Sequence, residues 1–119
     1  MDLGAIFERM IGEGGVSVVL IAGRDGMLLE GQSQGDNADM ESMAAVATRI
    51  LQESERLGRV VDGGAPAQIR VRYDSYLLLV EPLSETDVLV AGVEGSGGER
   101  LFDAVARYRI SLQETLGSF

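Results

Sequence analysis

No cysteine, histidine, lysine or tryptophan occurs among the 119 residues of this chain. Without cysteine there is no disulfide framework, thiolate metal site or thiol redox chemistry. Without histidine the commonest general base and the commonest metal ligand are both missing. Lysine is replaced throughout by arginine, which supplies all ten basic residues. That bias reads as GC-rich codon usage. Aromatic residues make up 5% of the chain and proline occurs twice. The longest apolar run, Val16 to Ala22 interrupted by Ser17, is far shorter than the roughly 20 residues that span a bilayer. The first residues lack the basic, apolar, small-residue order of a signal peptide. The expectation is a soluble, cytoplasmic protein with no direct membrane insertion.

Hydrophobic residues make up 45% of the sequence, and the formal net charge is -9. One domain over residues 1–119 is the expected organisation, with a core large enough to stand without staples. A charge of this sign argues against nucleic acid as a partner, because phosphates are recruited by a positive field.

Periodicity lays out the elements. Leu3, Ile6, Phe7, Met10 and Ile11 form one apolar stripe, which predicts a helix from Asp2 to about Glu13, ended by Gly12, Gly14 and Gly15. Val16 to Gly23 is β-branched and nearly all apolar, as a buried strand is. Asp25-Gly26 is a strong hairpin signal, since glycine tolerates the positive φ of a tight turn. Met27 to Gln34 is the returning strand. Gly35 to Asn37 reads as a turn, with Asp36 or Asn37 able to cap a helix.

The long helix that follows steps through Met40, Met43, Ala44, Ala47, Ile50, Leu51, Ser54 and Leu57, and Gly58 is its expected stop. Its stripe Met43-Ala47-Ile50-Ser54-Leu57 is expected to face the sheet. Strands are predicted at Gln68–Tyr73, Tyr76–Glu81 and Val88–Val93. A last helix carries Leu101, Val105, Tyr108, Leu112 and Leu116. The order αββαβββα predicts an α/β (α+β) sandwich: a five-stranded, mainly antiparallel sheet with helices on both faces.

Candidate chemistry is sparse. Gly95-Ser96-Gly97-Gly98 lies between a strand and a helix, where phosphate loops occur, but it lacks the lysine and spacing of a nucleotide-binding loop and reads as a connection. Glu53 and Glu55 are two apart on a helix and do not converge. Asp36 and Asp39 are accounted for by capping. Ser17, Ser33 and Ser42 have no histidine or lysine to activate them. No catalytic, cofactor-binding or metal-binding residues are assigned, and the chain is expected not to be an enzyme.

Two features point to binding. The long helix has Ala44, Ala45, Ala47 and Thr48 in its middle, small enough to admit another backbone, and Met40 and Met43 add adaptable apolar surface; packing within the chain's own core accounts for these residues equally well. The strand Gln68–Tyr73 alternates Ile69, Val71 and Tyr73 with Arg70 and Arg72. Those charges either protect a free edge or flank an edge that pairs with its twin across a two-fold axis.

The run Val18-Val19-Leu20-Ile21-Ala22-Gly23-Arg24-Asp25-Gly26-Met27-Leu28-Leu29 resembles the opening hairpin of the Roadblock family of dynein-light-chain-like domains. Met40 to Leu57 is similar to the family's long central helix. Gln68 to Arg72, Tyr76 to Leu83 and Val88 to Ala91 are similar to its closing strands. The resemblance implies a homodimer with central helices side by side and third strands joined. It also implies a Ras-like small GTPase as partner, regulated or scaffolded, with hydrolysis stimulated in some members. The arginine bias favours a bacterial member over a eukaryotic dynein subunit, and among bacterial members the resemblance implies the gliding-motility type of GTPase regulator.

On these grounds the expected dimer interface is Ala44, Ala47, Thr48, Leu51, Ile69, Arg70, Val71 and Arg72, and the expected partner-binding residues are Met40, Val46, Arg49 and Glu53. The alternatives are an assembly or adaptor subunit of a motor or signalling complex without a GTPase, and a small-ligand sensing domain.

Overall fold

In the computed structural model, which describes residues 1–35 and 38–117, the Asp2 side chain accepts the Ala5 amide at 2.8 Å and so starts α1 (Leu3–Gly12). The apolar stripe of α1 buries Ile6, Phe7 and Met10. β1 (Val18–Gly23) and β2 (Leu28–Ser33) then form the hairpin, with Gly26 at φ 91° in its turn, the positive angle that the Asp-Gly pair predicts.

Next come α2 (Met40–Val60), β3 (Ile69–Tyr73), β4 (Tyr76–Pro82), β5 (Asp87–Glu94) and α3 (Gly98–Leu116). The strands lie in the order β2-β1-β5-β4-β3, and every neighbouring pair is antiparallel. This is the αββαβββα sandwich expected from the sequence.

The alternation of side chains along each strand divides the core in two. Val19, Ile21, Leu79, Leu89 and Ala91 point to the face covered by α1 and α3, where Ile6, Phe7, Leu101, Val105 and Leu112 meet them. Leu20, Ala22, Val80, Val88 and Val90 point to the other face, under Ala44, Ala47 and Leu51 of α2. β1 and β5 are apolar on both sides because helices cover both sides.

Three local expectations change. Asp36 and Asn37 lie outside the described residues; the N-cap of α2 is Asp39, whose carboxylate accepts the Ser42 amide at 3.1 Å and its hydroxyl at 2.7 Å. These two bonds favour the charged form and hold the Asp39 carboxyl below the usual carboxylate range. Gly58 does not stop α2, which runs on to Val60. Its role is close approach: the Gly63 amide donates to the Gly58 carbonyl at 2.8 Å, and a Cβ on Gly58 would stand 2.3 Å from the Gly64 oxygen.

The third change concerns how α2 sits. The stripe facing the sheet is Ala44, Ala47, Thr48 and Leu51, whereas Leu57 is 61% exposed and Met43, Ile50 and Ser54 are half-buried. The helix is turned by about 100°, one residue step, from the expected orientation. Small Ala44 and Ala47 let its backbone settle onto the sheet, which a stripe of Met43, Ile50 and Leu57 would hold off.

Candidate interaction surface

The turned helix leaves a second apolar stripe in the open. Met43, Val46, Ile50 and Leu57 recur at helical spacing, and Val46 and Leu57 are more than half exposed. Val46, Ile50 and Leu57 line a shallow depression of about 420 Å³ with Arg49, Glu53 and Ser54. The buried side of α2 is fixed in turn by the β1–β2 hairpin. Thr48 Oγ1 donates to the Ala44 carbonyl at 2.9 Å and would be 3.2 Å from a Cβ on Gly26, so the glycine lets the hairpin tip reach the helix.

α2 packs over β1, β2 and β5, and the β3–β4 end of the same sheet face is more open. There Ile69, Val71, Tyr76 and Leu78 are half-buried and Tyr73 is exposed. A cleft of about 460 Å³ beside the start of α2 is lined by Val18, Met43, Tyr73, Tyr76, Leu78 and Glu94, among others. The Tyr76 ring lies on the backbone of Gly92, where a Cβ would come within 2.3 Å of the hydroxyl oxygen. Burial, followed by the neighbouring Glu94 carboxylate, pushes the Tyr76 hydroxyl above its ordinary value. Among the described residues β3 ends the sheet and pairs only with β4, which leaves its outer backbone edge free.

The expected interface residues divide between different surroundings. Ala44, Ala47, Thr48 and Leu51 are each at most 3% exposed, already consumed by the chain's own sheet. Ile69 and Val71 lie on the α2 side of β3. Arg70 and Arg72 project to the α3 side, where the Arg70 guanidinium stacks 3.7 Å from the Phe102 ring centroid and its Nε donates to Gln68 at 2.5 Å.

The expected partner-binding residues also separate. Val46, Arg49 and Glu53 are exposed on the outer side of α2, and Glu53 pairs with Arg56 at 3.2 Å across open solvent. Such a pair contributes little, about 0–1 kcal/mol. Met40 instead turns toward β2, with its sulfur 2.7 Å from where a Gly31 Cβ would be.

Two ion pairs escaped the sequence reading. Arg24 pairs with Glu55 at 3.0 Å and donates to the Ser84 carbonyl at 3.2 Å, tying α2 to the β4–β5 turn. Glu81, 5% exposed on β4, takes a two-pronged contact from Arg109 of α3, and Gln68 donates to it at 3.0 Å. A buried carboxylate requires such partners. The partners are 13 and 28 residues away in sequence, so no local motif announces them.

No group of three acidic, histidine or cysteine side chains among the described residues is placed to hold a metal ion, and no helix there is long and apolar enough to cross a membrane.

Solved structures share this fold. MglB of Myxococcus xanthus is similar over 97% of this chain and 94% of its own, at 17% identity and a TM-score of 0.85. A Roadblock/LC7 domain from Streptomyces avermitilis is similar over 94% of this chain and 98% of its own, at 22% identity and 0.73. The gliding protein MglB of Thermus thermophilus is similar over 91% and 88%, at 16% identity and 0.71. No curated protein matches the chain by sequence. The sequence profile of the Roadblock/LC7 domain matches residues 3–92, from α1 through most of β5. The chain belongs to the Roadblock/LC7 domain family.

Proposed function

We propose that the chain is a homodimeric, non-enzymatic, cytoplasmic regulator or scaffold of a Ras-like small GTPase. The observation that carries this reading is a juxtaposition: the free β3 edge, the open end of the sheet beside it and the exposed apolar stripe of α2. Two chains related by a two-fold axis can pair their β3 edges and set their α2 stripes side by side. Full burial of a large apolar side chain contributes about 1.5–3 kcal/mol, and covering these part-exposed ones contributes a fraction of that each. The helix contact then falls on Val46, Ile50 and Leu57 in place of Ala44, Ala47, Thr48 and Leu51, while Ile69 and Val71 keep their place in the contact.

The outer side of the paired helices, with Arg49, Glu53 and Arg56, is left for the GTPase. Family membership supports this reading, as does the fold shared with MglB, one example of which is described as having a tetrameric arrangement. Partner recognition in this account comes from shape and charge, with no reactive group supplied by the chain. The test is a titration of a small GTPase from the same organism, loaded with GDP or with a non-hydrolysable GTP analogue, alongside its hydrolysis rate. Binding that favours one nucleotide state and weakens with salt is the expected result, because switch segments order around the terminal phosphate. Equal or undetectable binding in both states, across such GTPases, rejects it.

A further inference from the structure

Arginines at alternate positions of an edge strand ordinarily keep other strands away. β3 carries Arg70 and Arg72 in this pattern, with Ile69, Val71 and Tyr73 on the opposite side. Pairing two β3 edges sets those charges against each other. Both α2 helices share one face of the joined sheet only if the two-fold axis is perpendicular to it, so opposed residues point to the same side. Full overlap of the five-residue strand then places Ile69 against the partner's Tyr73 and Val71 against its twin, which are favourable pairs. On the α3 side the same overlap places Arg70 against the partner's Arg72, twice over, and directly opposed like charges are destabilising.

Both arginines are drawn off the edge toward α3. That helix lies over β5, two strands inward from β3. Its Phe102 is half-buried against the core on this side, and the Arg70 guanidinium stacks 3.7 Å from the ring centroid. Arg70 Nε also donates to Gln68 Oε1 at 2.5 Å. The Gln68 amide is oriented from behind: its nitrogen donates to Glu81 at 3.0 Å, and a carboxylate only accepts, so the oxygen is turned to Arg70. Glu81 is held in turn by Arg109 of α3. Both tethers on Arg70 therefore end on α3. Arg72 takes the same direction, with its Nη2 3.6 Å from where a Cβ on Gly98 would stand, in a cleft that Glu99 and Phe102 also line.

We propose that Phe102 is a positioning residue that opens the β3 edge to a second copy of this chain. By stacking on Arg70, with Gln68 as the second tether, it carries the charge inward and leaves the strand able to pair with its twin. The inference rests on the β3 pairing proposed above and names the residue on which that pairing depends from across the sheet. A planar guanidinium suits the stack; the compact, strongly hydrated ammonium of a lysine at this position would stay in water beside the edge. The arginines of β3 thus combine two roles. Released, they guard the edge against other strands; held by α3, they allow the one contact in which the apolar side of β3 meets its own copy.

The experiment is sedimentation velocity of the full chain over a concentration series, at low and at raised salt. Phe102→Leu, which keeps an apolar side chain but loses the ring, should weaken the dimer by about tenfold, since the two-fold axis counts the like-charge pair twice. Arg70→Lys, at an exposed position where folding is not at risk, should weaken it in the same direction. Raised salt should shrink both losses by screening the repulsion. Arg70→Gln, which removes the charge, should dimerise at least as tightly as wild type, and adding it to Phe102→Leu should restore the dimer. Phe102→Tyr keeps the ring and should match wild type. A purely structural contribution of Phe102 would be neither salt-sensitive nor rescued at residue 70. The proposal is overturned if Phe102→Leu and Arg70→Lys dimerise as tightly as wild type, or if Arg70→Gln is as weak as Arg70→Lys. Losses that neither salt nor the double substitution relieves also overturn it. Those outcomes leave the β3 pairing standing, whereas a wild-type monomer overturns both.

Discussion

Replacing Gly58 with alanine sets two physical effects against each other. Alanine is favoured over glycine inside a helix by about 1 kcal/mol, so helix propensity alone predicts a more stable protein. In the structure the added Cβ would stand 2.3 Å from the Gly64 carbonyl oxygen and 3.5 Å from its carbon. That oxygen belongs to backbone, and Gly64 is held in a left-handed turn at φ 81° while the Gly63 amide donates to Gly58 itself. It cannot swing aside as a side chain would. Overpacking costs about 1–3 kcal/mol, and a contact this short against backbone belongs at the upper end. Offset by the propensity gain, Gly58→Ala should destabilise by about 2 kcal/mol, or roughly 8 °C in melting temperature at this chain length.

Gly12→Ala is the matched control. It is also helical, a Cβ there meets nothing within 4 Å, and it should stabilise by about 0.4–1 kcal/mol. Urea unfolding of the three proteins measures both shifts. A midpoint for Gly58→Ala at or above wild type would refute the close-approach account and restore Gly58 as a simple helix terminator.

Ala47→Arg, at a position 2% exposed on the sheet-facing side of α2, should cost more than about 3 kcal/mol, whereas Glu99→Arg on exposed surface should cost no more than about 1 kcal/mol. Equal melting temperatures for the two would contradict the orientation of α2. The raised Tyr76 hydroxyl predicts an alkaline effect. The folded form holds this proton more tightly than the unfolded one, so the contribution is complete below the ordinary value of 10.0 and is lost as pH rises through the raised folded value. Tyr76→Phe should therefore flatten the fall of melting temperature above about pH 10, and an unchanged slope would speak against the burial of this hydroxyl.

The sequence made the element order legible because its signals are local. Asp25-Gly26 dictates its own turn, and the doubly apolar Val18–Ala22 can only be a strand covered on both faces. The rotation of α2 was not legible, since its apolar residues span two adjacent stripes. Only the fit of Ala44 and Ala47 against Leu20, Val80 and Val90 chooses between them. The same step displaced four of the expected interface residues into the core and brought Val46, Ile50 and Leu57 to the outside. Simple alternation made it legible that Ile69 and Val71 share one side of β3 and Arg70 and Arg72 the other. The partners of Glu81 depend on how α3 crosses the sheet, which periodicity within α3 does not encode.

The central claim, that the free β3 edge and the exposed α2 stripe meet a second copy, is tested most directly by sedimentation velocity at low micromolar concentration. The account predicts a species of twice the 12.7 kDa chain mass, converted toward monomer by Ile50→Asp with the fold retained. A wild-type protein that sediments as a monomer throughout that range would contradict it.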